Sequence, residues 1–130
     1  MNMNDTMTIR EMCSAYDVTP RTLRFYEAKE LLSPIRIGTR RLFTKADRAR
    51  LTLILRGKRF GFSLEDIRQL LGMYDRNGSN EAQLAKTLEL GQARLSQMEQ
   101  QRRELDLAIE ELNEQLSLTA DMLKGNRNAA

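Results

Sequence analysis

A long proline-free segment, running from Glu81 to Gly125, most constrains what this chain can become, because its apolar residues recur at heptad spacing. With Leu84 at d and Leu88 at a, the d series is Leu84, Gly91, Met98, Leu105, Leu112 and Thr119. The a series is Leu88, Leu95, Arg102, Ile109, Leu116 and Leu123. Nine of the twelve positions are apolar, which makes a narrow seam rather than the broad stripe of a helix laid on a globular core. Some forty residues of helix span about 60 Å, and only Lys124 to Ala130 remain to fold back, so a second copy of the helix is the expected cover. The spacing predicts a coiled-coil helix over 81–123, dimerising through Leu84, Leu88, Leu95, Met98, Leu105, Ile109, Leu112, Leu116 and Leu123, with 124–130 as a flexible tail. Arg102 interrupts the seam, with Glu99 and Asp106 at i−3 and i+4 to receive its head, and is expected to help set register. Gly91 costs the helix about 1 kcal/mol relative to Ala.

The polar run Asp75–Asn80 predicts a linker, which leaves residues 1–74 as one domain. Charge divides the same way. Residues 1–74 hold 14 Lys or Arg against 8 Asp or Glu, whereas residues 75–130 hold 7 against 10. Between positions 36 and 59, Arg36, Arg40, Arg41, Lys45, Arg48, Arg50, Arg56, Lys58 and Arg59 face only Asp47, a density that favours a polyanionic partner.

Local signals predict a mainly helical domain of four short helices and a hairpin. Thr8 with Glu11 forms a capping box, and Ile9, Met12, Cys13 and Tyr16 follow at helical spacing. Asp17 and Val18 interrupt. Thr19 then caps a second helix, with Pro20 at its first position, that runs to about Lys29. Two helices joined by a three-residue turn form a helix-turn-helix, whose second helix can enter a major groove about 12 Å wide. Arg21 and Arg24 lie one turn apart on it. Ser33-Pro34 and Gly38-Thr39 bracket Ile35–Ile37 and Arg40–Phe43 as a wing. Thr44 with Asp47 opens a third helix that runs to about Lys58, with Gly57 and Gly61 marking its end, and Ser63 with Asp66 opens a fourth that ends near Tyr74 and buries Leu64, Ile67, Leu70 and Leu71. Leu23 and Phe25 read as core, while Tyr26 divides evenly between core and surface.

Several functions are excluded. His is absent and Cys13 is the only cysteine, so no internal disulfide, His/Cys metal cage or Ser-His-Asp triad is available; Cys13 reads as a packing residue. Neither a membrane span nor a signal peptide is expected, since the longest purely apolar run is Leu53–Leu55, and a cytoplasmic protein without cofactor follows. Exposed carboxylates such as Glu110 and Glu111 imply no cleft, so an enzyme is not expected.

Thr8-Ile-Arg-Glu-Met-Cys13, Val18-Thr-Pro-Arg-Thr-Leu-Arg-Phe-Tyr-Glu27, Leu31-Leu-Ser-Pro34, Arg40-Arg-Leu-Phe43 and Gly61-Phe-Ser-Leu-Glu-Asp-Ile67 occur in order, and together they resemble the MerR family of bacterial transcription regulators. The resemblance covers about residues 8–74, and the long helix is similar to that family's dimerisation helix. It implies a winged helix-turn-helix whose dimer, paired through antiparallel long helices, binds a palindromic operator in a promoter spacer. Distortion of that spacer then lets RNA polymerase engage both promoter elements. By motif, Arg21 and Arg24 contact DNA with support from Thr22 and Tyr26, Arg40 and Arg41 act from the wing, and Lys58 and Arg59 bind backbone from a second wing over Lys58–Ser63. Many members carry Tyr at the positions of Arg40 and Phe43, so phosphate contacts through those hydroxyls do not carry over.

Metal-sensing relatives place Cys or His after the second wing and beyond the dimer helix, where Asp75–Asn80 and Thr119–Ala130 have neither; redox relatives need clustered cysteines. The resemblance extends to a subgroup controlling branched-chain amino-acid and acyl-CoA catabolism, which implies an acyl-CoA effector near Arg76 and the start of the long helix. A coiled-coil adaptor with only nonspecific DNA affinity is the alternative reading. The seam assignment has a direct check: Leu105→Asp should give monomers in sedimentation, and a persistent dimer would place the seam elsewhere.

Overall fold

A computed structural model describes residues 5–75 and 81–129. The elements are β1 (Met7–Thr8), α1 (Ile9–Tyr16), α2 (Pro20–Ala28), β2 (Ile35–Ile37), β3 (Arg40–Phe43), α3 (Lys45–Phe60), α4 (Leu64–Asp75) and α5 (Glu81–Asn128). The chain divides into two compact units, one through Thr87 and one from Leu88.

In the first unit, helix boundaries follow from hydrogen-bonding side chains at the helix starts. The Thr8 hydroxyl accepts the Glu11 amide at 3.2 Å while the Glu11 carboxylate accepts the Thr8 amide at 2.9 Å, so two otherwise orphaned donors are satisfied. Asp17 ends α1 in the left-handed region at φ 53°, which a short polar side chain tolerates. Thr19 accepts the Thr22 amide at 3.1 Å and Pro20 follows at the first position of α2. After α2 the chain turns sharply, with Leu31 and Leu32 amides donating to the Tyr26 carbonyl, and both leucines enter the core.

The wing is a two-residue hairpin turning at Gly38, φ 60°, and pairing Ile35 with Leu42, Arg36 with Arg41 and Ile37 with Arg40. Sequence reading missed β1, which pairs with the other edge of β3, Met7 against Phe43 and Thr8 against Leu42, and makes β3 the centre of a three-stranded sheet. Two residues are too short to carry a periodic signal. Asp47 clips the base of the hairpin. It is 3% exposed, and its carboxylate accepts the Ser33 amide at 3.0 Å and the Thr44 amide and hydroxyl, each at 3.1 Å.

The core gathers Met12, Leu23, Tyr26, Leu31, Leu32, Phe43, Leu51, Ile54, Ile67 and Leu71 from α1, α2, the loop after α2, β3, α3 and α4. Cys13 packs half-buried against it. Two helix ends and one glycine differ from expectation. Helix α3 is sixteen residues long and continues to Phe60, because Gly61 at φ 83° provides the left-handed cap. Gly57 therefore lies inside the helix, where a Cβ would stand 2.8 Å from the Ile67 side chain; its role is to let α3 and α4 approach. The fourth helix includes Asp75, and the rest of the expected linker, residues 76–80 with Arg76, lies outside the described residues.

Helix α5 is continuous through Gly91 and reaches Asn128, so residues 124–128 of the expected flexible tail are helical. At its start, the Thr87 hydroxyl donates to the Met73 sulfur at 3.1 Å. From Leu88 onward the second unit is this helix alone.

Removing the hairpin clip tests its weight. Asp47→Ala leaves the half-buried Thr44 amide and the Ser33 amide without their acceptor, and should lower unfolding stability by about 1 kcal/mol, read from the urea midpoint.

Candidate nucleic-acid interface

Helix α2 turns Leu23 and Tyr26 inward, so its outward face carries Arg21, Arg24, Phe25, Ala28 and Lys29. Arg21 and Arg24 are exposed and make no hydrogen bond or ion pair among the described residues, leaving both guanidinium forks open to an external acceptor. Thr22 is taken up locally: its amide donates to Thr19 Oγ1 and the two hydroxyls lie 2.9 Å apart.

The two neighbouring aromatic side chains face opposite ways. Tyr26, expected by motif to support DNA contacts, is 3% exposed and belongs to the core, and burial raises its phenol above the usual range. Phe25, expected in the core, is 44% exposed, with the Lys29 ammonium 5.7 Å from its ring centroid. The apolar ring gave no sign of this, since helical phase and not residue type decides which neighbour faces out.

A carboxylate couples this helix to the wing. Glu27, its side chain 19% exposed, accepts from Arg36 Nη1 at 2.7 Å and from Arg41 Nε at 2.6 Å. The two arginines stand opposite each other across β2 and β3, where like charges repel, and Glu27 relieves that repulsion. Burial works to raise the Glu27 carboxyl, but the hydrogen bonds and charges of Arg41 and Arg36 outweigh it and hold the group below its usual value of 4.5. Arg41, expected to contact DNA, is therefore engaged in orienting the wing, with 21% of its side chain exposed. Arg40 at the strand start and Ile37 beside the turn are exposed.

Other arginines of the basic run also serve the fold. Arg50 Nε donates to the Leu31 carbonyl at 2.8 Å, and Arg48 Nη1 donates to the Asp5 carbonyl. From α4, Arg68 Nη2 reaches the Lys29 carbonyl at 2.7 Å and steadies the end of α2. Of the nine basic residues between 36 and 59, Arg40, Lys45, Arg56, Lys58 and Arg59 are exposed without a hydrogen bond or ion pair among the described residues, while Arg36 is exposed but paired with Glu27. Lys58 and Arg59 occupy the last turn of α3 rather than a loop, as the second-wing expectation had it, and favour the negative end of the helix dipole. No hydrogen bond or ion pair among the described residues ties them to α2 or the hairpin.

Along α5 the expected dimerisation residues are 39–62% exposed, from Met98 to Leu88. Leu107, Leu118 and Met122, off the seam, are exposed as well, so heptad spacing and not exposure singles out the seam. No helix of the described residues is long and apolar enough to cross a membrane.

A helix-turn-helix with a wing clamped to its second helix, followed by a long heptad-bearing helix, defines the winged helix-turn-helix class. The chain belongs to the MerR family: residues 7–73 match the family profile described as MerR HTH family regulatory protein, and residues 48–115 match that described as MerR, DNA binding. The HTH-type transcriptional regulator ZntR of Escherichia coli (strain K12) is 40% identical over 67 residues, 50% of this chain and 48% of ZntR. This chain thus spans about half the length of that relative. The HTH-type transcriptional regulator HmrR of Rhizobium leguminosarum bv. viciae is 30% identical over 100 residues, covering 76% of this chain and 75% of HmrR. Among solved structures, HiNmlR, a MerR family regulator lacking the sensor domain and bound to promoter DNA, superposes with a TM-score of 0.64 at 25% identity, covering 86% of this chain and 88% of that one. A MerR family transcriptional regulator from Bacillus cereus gives 0.60 at 31% identity, covering 78% and 75%.

The Glu27 clamp makes a pH-dependent prediction. A carboxyl whose folded pKa is depressed stabilises the protein above its unfolded value, and that contribution is lost as pH falls through the folded value. Glu27→Gln should cost about 1 kcal/mol near pH 7, moderated because Arg36 is half exposed. The urea-midpoint difference from the parent should close at pH values below the usual carboxylate range.

Proposed function

We propose that this protein is a dimeric, sequence-specific DNA-binding transcription regulator, and not an enzyme. The observation that carries the reading is the outward face of α2, where Arg21 and Arg24 stand unpaired among the described residues beside a wing held by Glu27. The recognition helix enters the major groove, Arg21 and Arg24 reading guanine edges or phosphates, with Thr22 holding the helix start. Phe25 joins them as an apolar contact for a thymine methyl, while Tyr26 and Arg41 act by holding helix and wing. Arg40 from the wing and Lys58 and Arg59 from the end of α3 bind phosphates, and so supply affinity rather than discrimination.

The domain reading is a DNA-binding part over 1–74 and a pairing helix from 81 to at least 123. Two copies pair through antiparallel α5 seams and place two recognition helices on a palindromic operator within a promoter spacer, in the cytoplasm beside the nucleoid. Bending that spacer by 40–90° costs about 1–6 kcal/mol, which the two sets of phosphate contacts offset, and brings both promoter elements within reach of RNA polymerase. We place the chain in the subgroup serving branched-chain amino-acid and acyl-CoA catabolism, on the likeness of Asp47–Arg59 and the absence of Cys and His from Thr119–Ala130, with an acyl-CoA as effector. Calorimetry showing no acyl-CoA binding would remove that assignment alone. The adaptor alternative explains neither the unpaired arginines on α2 nor the likeness to a regulator solved on promoter DNA.

Selection from random duplex DNA at physiological salt should enrich an inverted repeat; no enrichment by the folded dimer, with or without metabolites, would overturn the reading. On the selected site, Arg24→Ala should cost about 1–3 kcal/mol of discrimination. Lys58→Ala should instead weaken all sequences and reduce the salt slope by about one. Equal, sequence-independent losses in both variants would contradict this division of roles.

A further inference from the structure

On the dimeric reading proposed above, the seam of α5 specifies how two copies align as well as that they pair. Between Leu88 and Thr119 the seam holds ten positions, of which Gly91, Arg102 and Thr119 are not large apolar residues. In a parallel, in-register pair each faces its own copy: glycine against glycine, threonine against threonine, and two guanidinium groups against each other in the seam. In an antiparallel pair every a residue faces a d residue of the other chain. One register sets Gly91 opposite Leu116, Thr119 opposite Leu88 and Arg102 opposite Leu105, while Leu95 meets Leu112 and Met98 meets Ile109. Every weak position then faces a leucine, and all ten positions are used. A one-heptad slide toward the helix ends leaves Leu88 opposite Asn126, and a slide the other way leaves Thr119 and Leu123 beyond the last apolar partner.

Charge selects the same register. The two-fold axis falls between Arg102 and Leu105, so both copies of Arg102 lie in adjacent layers. Glu99 and Asp106 occupy the e positions beside Arg102, and in this register the Glu99 of each chain lies across from the Asp106 of the other. The carboxylates would repel without the two arginines, and the arginines would be stranded in the seam without the carboxylates. Arg103, at the neighbouring b position, is held by Gln100 Oε1 at 2.6 Å, which leaves Arg102 as the cation of the seam that faces these carboxylates. We infer that Arg102, Glu99 and Asp106 form a charge lock at the dyad of an antiparallel homodimer in the Leu95–Leu112 register, with Arg102 acting as a positioning residue for pairing.

Cysteine bridging reads register directly, because Cα atoms more than about 7 Å apart do not bridge without backbone movement and a one-heptad slide moves a partner by about 10 Å. In the full chain carrying Cys13→Ala, the double variant Leu95→Cys/Leu112→Cys should form a covalent dimer on mild oxidation. It should do so at least about tenfold faster than Leu95→Cys/Leu105→Cys or Leu95→Cys/Thr119→Cys, which report the two slid registers. Leu95→Cys alone should stay uncrosslinked; a dimer there would show parallel chains and overturn the proposal. Faster bridging in either slid pair would overturn the register. Adding Arg102→Leu should raise bridging of the slid pairs toward that of the first pair, and unchanged selectivity would remove Arg102 from the lock. Sedimentation as a monomer before oxidation would take down the dimeric reading itself, a failure distinct from dimers that bridge out of register.

Discussion

A single buried carboxylate holds together the part of the chain that carries the candidate interface. Asp47 accepts amides from Ser33, just before the hairpin, and from Thr44, just after it, so both ends of the wing close on one side chain at the first turn of α3. Placed among Leu31, Leu32, Leu51 and Ile54 in sequence, it ties local capping to the core. Burying a carboxylate is costly unless its oxygens are hydrogen-bonded, and here two amides and a hydroxyl meet that need. The hairpin is thereby fixed at its base to the helix against which the core is assembled.

Glu27 does for the body of the wing what Asp47 does for its base. One carboxylate between Arg36 and Arg41 turns a repulsive cross-strand pair into a three-membered bridge from α2 to β2 and β3. Arg50 and Arg68, reaching from α3 and α4 to the carbonyls of Leu31 and Lys29, fix the far end of the same helix. Helix α2 and the wing thus form one rigid element, which holds Arg21 and Arg24 in a fixed place on its outward face. Positive charge on this domain consequently has two physical uses, holding the scaffold and meeting an anion.

Those two uses could not be separated by reading residues in order. Arg36, Arg41, Arg48 and Arg50 look the same in a charge count as Arg40, Arg56, Lys58 and Arg59, because the acceptors that engage them lie far away in sequence: Glu27, the carbonyl of Leu31 and that of Asp5. The placement of Phe25 and Tyr26 has a similar origin. Either aromatic ring suits a core, and a shift of one residue rotates the helix by about 100°, so packing against Leu23, Leu31 and Leu32 decided between them. Gly57 read as punctuation because a helix-breaking residue near a predicted end is ambiguous until the crossing helix, with Ile67, is in place.

By itself the sequence determined what depends on neighbours a few residues apart. Threonine caps at Thr8, Thr19 and Thr44, the turn at Gly38-Thr39, the stop at Asp17 and the heptad phase of the long helix are all local hydrogen-bonding or periodic facts. They suffice to mark a winged helix-turn-helix and its following helix. Only the tertiary structure decided which arginines face out, which aromatic is buried, that β1 completes the sheet, and that Lys58 and Arg59 stand on a helical turn. Each of these depends on a partner brought close by the fold, and hydrogen bonds, desolvation and close packing act only at that contact distance.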